Sequence, residues 1–317
     1  MTNFWQKLPK PFMVLAPMEG VTDFVFREIV ANELPKPNVL FTEFTNVDAL
    51  NSEGYEETIS RFKLSKRQRP AVAQIWGTNP DNFYTSAEMA KKAGFDGIDI
   101  NMGCPDRAVT KNGSGAALIN NPDLVKEIII AVKKGAEGLP ISVKTRLGFK
   151  TIVTEEWIPF LLEQKIDAIS THARTAKQLS KGEANWDEIG KIVKLKNRIA
   201  PETIIIGNGD IISYSQALEM HKTYGVDGIM IGRGIFKNPW VFSPDSIQHP
   251  SKDYLKVLLK HMTLYEKTWG ETKSPEPMKK FYKMYVNNFK GANQLRQQLM
   301  ETKSFDEARK IIYNSSI

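Results

Sequence analysis

The sequence predicts an α/β fold: a (β/α)8 TIM barrel followed by a small C-terminal all-helical domain. Three observations predict it. From Met13 to Met230, short apolar runs rich in β-formers alternate with longer amphipathic segments. The repeat of about 30 residues, eight times over, matches a barrel of roughly 250 residues. After Gly232-Arg233-Gly234 the strand pattern stops and only helical spacing remains.

The expected strands are Met13–Ala16, Val39–Phe44, Ala71–Ile75, Gly97–Ile100, Ile141–Lys144, Ala168–Thr171, Thr203–Gly207 and Gly228–Ile231. Near-continuous apolar runs such as Ile204-Ile205-Ile206 suit a parallel sheet covered on both faces. The intervening helices are expected over Asp23–Asn32, Pro80–Ala93, Pro122–Lys134, Thr154–Gln164, Trp186–Leu195 and Ser213–Tyr224, with a further one somewhere in Asn46–Phe62. An open doubly wound sheet is the structural alternative. Pro239, Pro244 and Pro250 punctuate a linker, so the barrel is expected over residues 1–243 and the helical domain over 244–317.

Composition narrows the setting. The 317 residues are 41% hydrophobic and 25% charged, ordinary for a water-soluble globular chain. No apolar run approaches the roughly 18 residues a membrane span needs, and the start lacks the layout of a secretory signal. One cysteine permits no internal disulfide, so a cytoplasmic setting is expected. Net charge is +7. From Ser246 onward there are 13 Lys and Arg against 7 Asp and Glu, so most of the excess lies in the tail. A basic appendage on a nearly neutral body favours a polyanionic partner, since each neutralised phosphate releases counterions; the plainer reading is a solvated helical face.

Active sites of such barrels sit at the C-terminal ends of the strands, and here those ends are dense in polar residues. They read Ala16-Pro17-Met18-Glu19-Gly20, Gln74-Ile75-Trp76-Gly77, Asn101-Met102-Gly103-Cys104-Pro105, Lys144-Thr145-Arg146, His172-Ala173-Arg174, Asn208-Gly209-Asp210 and Gly232-Arg233-Gly234. Glycine-rich turns after strands 7 and 8 are the usual phosphate site of this architecture, with Arg233 adding a planar charged fork. With Lys144 and His172 the set suits a flavin mononucleotide, because a cation near the ring stabilises the anion formed on reduction. Gln74 could meet the ring's polar edge, and Pro17 and Met18 offer backbone contacts and an apolar wall. Asn112-Gly113-Ser114-Gly115-Ala116-Ala117 looks like a dinucleotide turn but lacks its strand–turn–helix context.

Cys104 sits between Gly103 and Pro105 on a turn just past strand 4. A lone cysteine is more often a small buried hydrophobe, but at the mouth of a flavin barrel a thiol that stays protonated near neutral pH can donate a proton.

These residues resemble the transfer-RNA dihydrouridine synthases over nearly the whole chain. The resemblance rests on Ala16-Pro17-Met18-Glu19-Gly20-Val21-Thr22-Asp23, Thr42-Glu43-Phe44, Asp99-Ile100-Asn101-Met102-Gly103-Cys104-Pro105, Val143-Lys144-Thr145-Arg146, His172-Ala173-Arg174-Thr175 and Ile231-Gly232-Arg233-Gly234. It implies an FMN held by Pro17, Met18, Gln74, Lys144, His172, Asn208, Gly209, Asp210, Gly232 and Arg233. Cys104 would protonate C5 of a tRNA uracil after hydride passes from flavin N5 to C6. Asn101 and Arg174 would hold the uracil, with Arg146 nearby, and NADPH or NADH would reduce the flavin in a separate half-reaction. The target base would have to leave its stack. Many relatives carry an aromatic before a Lys-Gly pair, where this chain reads Ser180-Lys181-Gly182.

Arg107 and Lys111 follow Cys104 on the catalytic side and are expected on RNA, as are Lys279, Lys280, Lys283, Lys290 and Arg296 in the tail. The interleaved Phe281, Tyr282 and Tyr285 mostly read as helix packing. A monomer without metal or membrane association is expected. Two other readings compete: an FMN barrel acting on a free pyrimidine such as dihydroorotate, and a non-catalytic RNA-binding factor on a retained barrel. The basic tail and the Asn-Met-Gly-Cys-Pro turn oppose the first; intact Cys104, Lys144 and His172 oppose the second.

Overall fold

The period-two alternation of a strand assigns every second side chain to the inside once a sheet closes on itself. The computed structural model describes residues 3–287 and 289–315, and its eight parallel strands close in sequence order. They are β1 (Phe12–Leu15), β2 (Val39–Asn46), β3 (Ala71–Trp76), β4 (Gly97–Met102), β5 (Ile141–Arg146), β6 (Ala168–His172), β7 (Ile204–Asn208) and β8 (Gly228–Ile231). The predicted barrel is thus observed, and closure removes the open-sheet alternative: β1 pairs with both β2 and β8. Strand ends agree with the predicted ones to within two residues, and β8 agrees at both ends; where they differ, ladder bonds rather than side-chain type decide them.

The inward residues form two zones. Toward the N-terminal ends lies an apolar cluster of Phe12, Val14, Val39, Phe41, Val72, Ala168, Ile204, Ile206 and Met230, closed by Trp5. Trp5 comes from a 3-10 helix, Phe4–Lys7, whose N-cap Asn3 accepts from the Trp5 N–H. Its ring lies 5.9 Å from that of Phe12 and 6.3 Å from that of Phe41. Toward the C-terminal ends the register brings polar residues level with one another: Gln74 pairs with Asp99, Asp99 with Ser142, Asn101 with Lys144, and His172 with Asn208.

The helix expected within Asn46–Phe62 is instead three short pieces, Val47–Leu50, Tyr55–Ile59 and Ser60–Phe62. Asn51 stops the first by turning its side-chain amide onto the Val47 carbonyl at 2.7 Å. Tight packing shows at Gly135 of helix Pro122–Ala136, where an added Cβ would lie 2.2 Å from the Tyr84 carbonyl oxygen.

The chain divides into two compact units: one comprises Met1–Phe24, Pro37–Ile211 and Ser215–Gly232, the other Val25–Lys36, Ile212–Tyr214 and Arg233–Ile317. In the second unit the helices Ser251–Trp269, Lys279–Tyr285, Ala292–Glu301 and Phe305–Asn314 succeed one another, and no strand occurs among its described residues. Its core holds His261, fully buried, with rings of Phe26, Phe281 and Tyr285 at 5.7, 4.6 and 5.9 Å. Burial pushes this histidine down to about 3, so it is neutral, and its Nδ1 lies 3.1 Å from the Tyr285 hydroxyl.

Trp5 plugs the barrel floor without any exposed surface. Trp5→Ala is expected to destabilise the fold by about 3–5 kcal/mol through cavity formation, measured as a lowered denaturation midpoint. Trp5→Phe should recover most of that loss.

Candidate active site

The polar zone is built by strand register before any loop contributes. Asp99 has no exposed surface, and both its oxygens are used: Ser142 Oγ donates to Oδ1 at 2.6 Å and Gln74 Nε2 to Oδ2 at 2.7 Å. Burial pushes this carboxyl up to about 6, against the pull of those two bonds and the Lys144 charge. Gln74 Oε1 accepts from Asn101 Nδ2 at 3.0 Å. The Asn101 carbonyl in turn accepts from the Gly103 and Cys104 N–H groups at 3.0 and 2.9 Å.

Cys104 is half-buried on the resulting turn. Burial pushes its thiol up, opposed by a hydrogen bond from the Asp106 backbone and by the charges of Arg146 and Lys144. The group therefore stays a thiol at neutral pH. Behind it, Ala116 N–H donates to the Cys104 carbonyl at 2.9 Å, and a Cβ on Gly115 would lie 2.8 Å from that same oxygen. The Gly113–Ala117 stretch thus packs as the backing of the cysteine turn. Sequence reasoning missed this role; the one signal was a pair of glycines placed shortly after the Cys-Pro turn.

Lys144 sits opposite Asn101 on the next strand. Burial and the Arg146 charge push its ammonium down to about 8, with Asp99 and Cys104 acting the other way. Its hydrogen bond to Asn208 Oδ1 is long, 3.4 Å, while Asn208 Nδ2 is held by the Met230 carbonyl at 2.8 Å. Nearby, the Ser170 hydroxyl, paired in register with Lys144, is buried without a hydrogen-bond partner.

The two predicted arginines of this unit are buried and turned onto the protein. Arg146 donates from Nε to the Gly103 carbonyl at 2.7 Å and from Nη1 to the Thr175 and Leu179 carbonyls at 3.0 and 2.8 Å. Arg174 engages all five of its N–H groups. Its Nε meets the Lys181 carbonyl at 3.3 Å, and Nη1 meets His172 Nε2 at 3.3 Å and Asp210 Oδ1 at 3.1 Å. Nη2 meets the Gly182 carbonyl at 2.6 Å and Asp210 Oδ2. Because a guanidinium only donates, His172 Nε2 accepts, which leaves the ring proton on Nδ1. Asp210 reaches this clamp with a positive φ of 57°, after Gly209 at φ 146°.

Pro17 and Met18 are half-buried in the turn after β1, where the Met18 carbonyl accepts from the Val21 and Thr22 N–H groups. Glu43 in β2 receives the Gly20 N–H at 2.7 Å, and burial raises its pKa. Gly232 follows β8, where an added Cβ would lie 3.4 Å from Ala16 Cβ and 3.6 Å from Met18 Sδ. Arg233 is the exposed N-cap residue of helix Gly234–Lys237 and counts with the second unit. Arg107 and Lys111 are exposed just beyond Cys104. In the second unit Lys280, Lys283 and Lys290 are exposed, whereas Lys279 pairs with Glu276 at 2.7 Å and Arg296 donates to the Val286 carbonyl at 2.7 Å. Phe281, Tyr282 and Tyr285 are buried, as helix packing requires.

Residues 14–315 match the family model described as "Dihydrouridine synthase (Dus)". A protein of Staphylococcus aureus (strain COL) named "Probable tRNA-dihydrouridine synthase" is 45% identical over 98% of this chain and 94% of its own length. The chain belongs to the dihydrouridine synthase family. Another relative at 45% identity, covering 98% of this chain and 95% of its own, is "Probable tRNA-dihydrouridine synthase 2" of Bacillus subtilis (strain 168). Among solved structures, an old yellow enzyme homologue from Zymomonas mobilis matches 75% of this chain and 90% of its own with a TM-score of 0.52 at 13% identity. A 6-hydroxypseudooxynicotine amine oxidase from Pseudomonas geniculata N1 matches 82% of this chain and 53% of its own with a TM-score of 0.56 at 13% identity. These two share the barrel fold. No helix among the described residues is long and apolar enough to cross a membrane.

The Arg174–Asp210 clamp ties the Lys181 and Gly182 carbonyls to the end of β7. Asp210→Ala should therefore release this loop, raising the rate of tryptic cleavage after Lys177 or Lys181 about tenfold while the melting temperature changes little.

Proposed function

We infer that this chain is a tRNA-dihydrouridine synthase, reducing the C5–C6 bond of uridine in tRNA with FMN as bound cofactor and NADPH or NADH as transient reductant. Membership of the family over residues 14–315, with Cys104 intact on its turn beside Lys144, carries the reading. The barrel's own residues fit a flavin. Lys144 offers an ammonium with one long hydrogen bond, and Ser170 a buried hydroxyl that lacks a partner. Pro17, Met18, Gln74, His172, Asn208, Gly209, Asp210, Gly232 and Arg233 complete the proposed cofactor set.

When bound, FMN supplies the hydride that reaches C6 of the uracil. The protein's part is proton supply, charge and exclusion of water. Cys104, kept protonated by burial, gives its proton to C5 and is left as a thiolate. Lys144 and Arg146, whose charges already act on this sulfur, stabilise that anion until it is reprotonated from solvent. Asn101, Arg146 and Arg174 bound the uracil pocket. Since their donors hold protein carbonyls and carboxylates, they act first by fixing the walls against which the base lies. Arg107 and Lys111 meet the RNA backbone, and so do Lys279, Lys280, Lys283, Lys290 and Arg296 of the helical domain. A tRNA substrate and a single thiol both agree with a cytoplasmic setting, and nothing in the proposed reaction requires more than a monomer or any metal.

An anaerobic absorption spectrum tests this reading. The FMN-loaded protein should show flavin bands that bleach with NADPH and return when unmodified tRNA is added, with dihydrouridine formed. Cys104→Ala should keep the bleaching but lower the tRNA-dependent return by at least about 100-fold. A protein that takes up no FMN would sink the redox reading, and undiminished return in the variant would remove Cys104 as the acid.

The exposed tail lysines are separately testable. Replacing Lys280, Lys283 and Lys290 by Gln should weaken tRNA binding uniformly and reduce the slope of log affinity against log salt by about 2–3. An unchanged slope would make their charge a matter of solubility.

A further inference from the structure

The polar zone contains a file of hydrogen bonds whose direction is set at both ends. At one end stand the Gly103 and Cys104 N–H groups, which can only donate, and Asn101 Oδ1 accepts both. At the other end stands the Asp99 carboxylate, which only accepts, taking Gln74 Nε2 on one oxygen and Ser142 Oγ on the other. Between them lie two amides, joined by the bond from Asn101 Nδ2 to Gln74 Oε1. With a donor-only end and an acceptor-only end, each amide has one permitted orientation. Turning either through half a rotation would set N–H against N–H on one side and oxygen against oxygen on the other.

We propose that Asp99 is a positioning residue that, through Gln74 and Asn101, orients the turn presenting the Cys104 thiol. Strand register makes the file possible, since Gln74, Asp99 and Ser142 lie level on three successive strands and Asn101 is the next inward residue after Asp99. Asp99 has no exposed surface by which it could meet a substrate directly. A carboxylate buried in a barrel is costly unless its bonds are complete, and its bonds lead to the cysteine turn. The turn's carbonyls are held elsewhere, Gly103 by Arg146 and Cys104 by Ala116. Its two N–H groups are therefore what the file controls. The catalytic consequence rests on the reading of Cys104 as the proton donor; the positioning itself does not.

The test uses the thiol directly. Cys104 is the only cysteine in the chain, so iodoacetamide labelling of the full-length protein reports one site and needs neither flavin nor tRNA. Asp99→Asn can still accept from Gln74 through Oδ1 while its Nδ2 donates to the Ser142 hydroxyl, so direction is preserved. Its alkylation rate between pH 7 and 10 should stay within about twofold of the parent. Asp99→Leu removes the acceptor, and Gln74→Met cuts the file while leaving Asp99 with Ser142. Both should release the thiol from its buried seat, raising the rate at pH 8 about tenfold and moving the titration midpoint down toward an ordinary thiol. Circular dichroism and melting temperature establish that each variant is folded; if Asp99→Leu is not, Gln74→Met decides. A native labelling profile in folded Gln74→Met would overturn the proposal. So would an Asp99→Asn profile shifted as far as that of Gln74→Met, because charge rather than direction would then be acting. Failure of the reading of Cys104 as the proton donor would instead appear as activity retained in Cys104→Ala, with the labelling result in the other variants unaffected.

Discussion

Closure of eight parallel strands decides which side chains share an interior. The strand register then decides at what height each of them stands. A one-residue slip in β4 would exchange the inward Asp99 and Asn101 for Ile98 and Ile100, and with them the whole polar zone. The apolar floor opposes such a slip. Phe12, Val14, Val72, Ile204 and Ile206 are buried against Trp5 in the same alternation that brings Gln74, Ser142, Lys144 and Asn208 inward above them. Packing at one end of the barrel thus maintains chemistry at the other, although no side chain need span the distance.

Within that polar zone, burial moves three groups toward their neutral forms. The Asp99 carboxyl rises to about 6, the Lys144 ammonium falls to about 8, and the Cys104 thiol rises. Each is checked by the others: Lys144 lowers both acids, and both act to raise Lys144. Burial thus keeps a proton on sulfur, while the two acids help keep a positive charge beside it over the same neutral pH range. This is the combination that proton delivery to a carbon requires, since the donor must hold its proton until called upon and its conjugate base must then be tolerated.

Much of this was legible in the residues because it depends on local pattern. The eight strands show in apolar runs such as Ile204-Ile205-Ile206, and the site residues show as polar groups at their ends. What was not legible depends on partners distant in sequence. Arg146 and Arg174 read as ligand-facing cations, yet their donors go to carbonyls in the Gly103 and 175–182 stretches, which no local pattern specifies. The stretch holding Gly115 looks like a dinucleotide turn without its context, and its real role was hidden because glycine pairs look alike whether they admit a phosphate or a neighbouring backbone; here the neighbour is the Cys104 carbonyl. The stretch after β2 failed as a single helix because Asn51, Ser52 and Gly54 favour local turns over propagation.

The second unit shows the same dependence on distant chain. Its core is assembled from the C-terminal helices together with Val25–Lys36, which leaves the barrel chain after β1 and precedes β2. Phe26 from that segment stacks on Phe281 at 5.0 Å and faces His261 at 5.7 Å, and Glu33 pairs with Lys260. His261 can be buried as a neutral ring only because aromatic groups from both segments surround it. A piece beginning at residue 244 would therefore lack one wall of its own core and would leave apolar surface and an under-packed histidine open to water. The basic helices thus reach their folded state as part of the full chain, and exposed Lys280, Lys283 and Lys290 owe their presentation in part to a helix laid down before the second strand of the barrel.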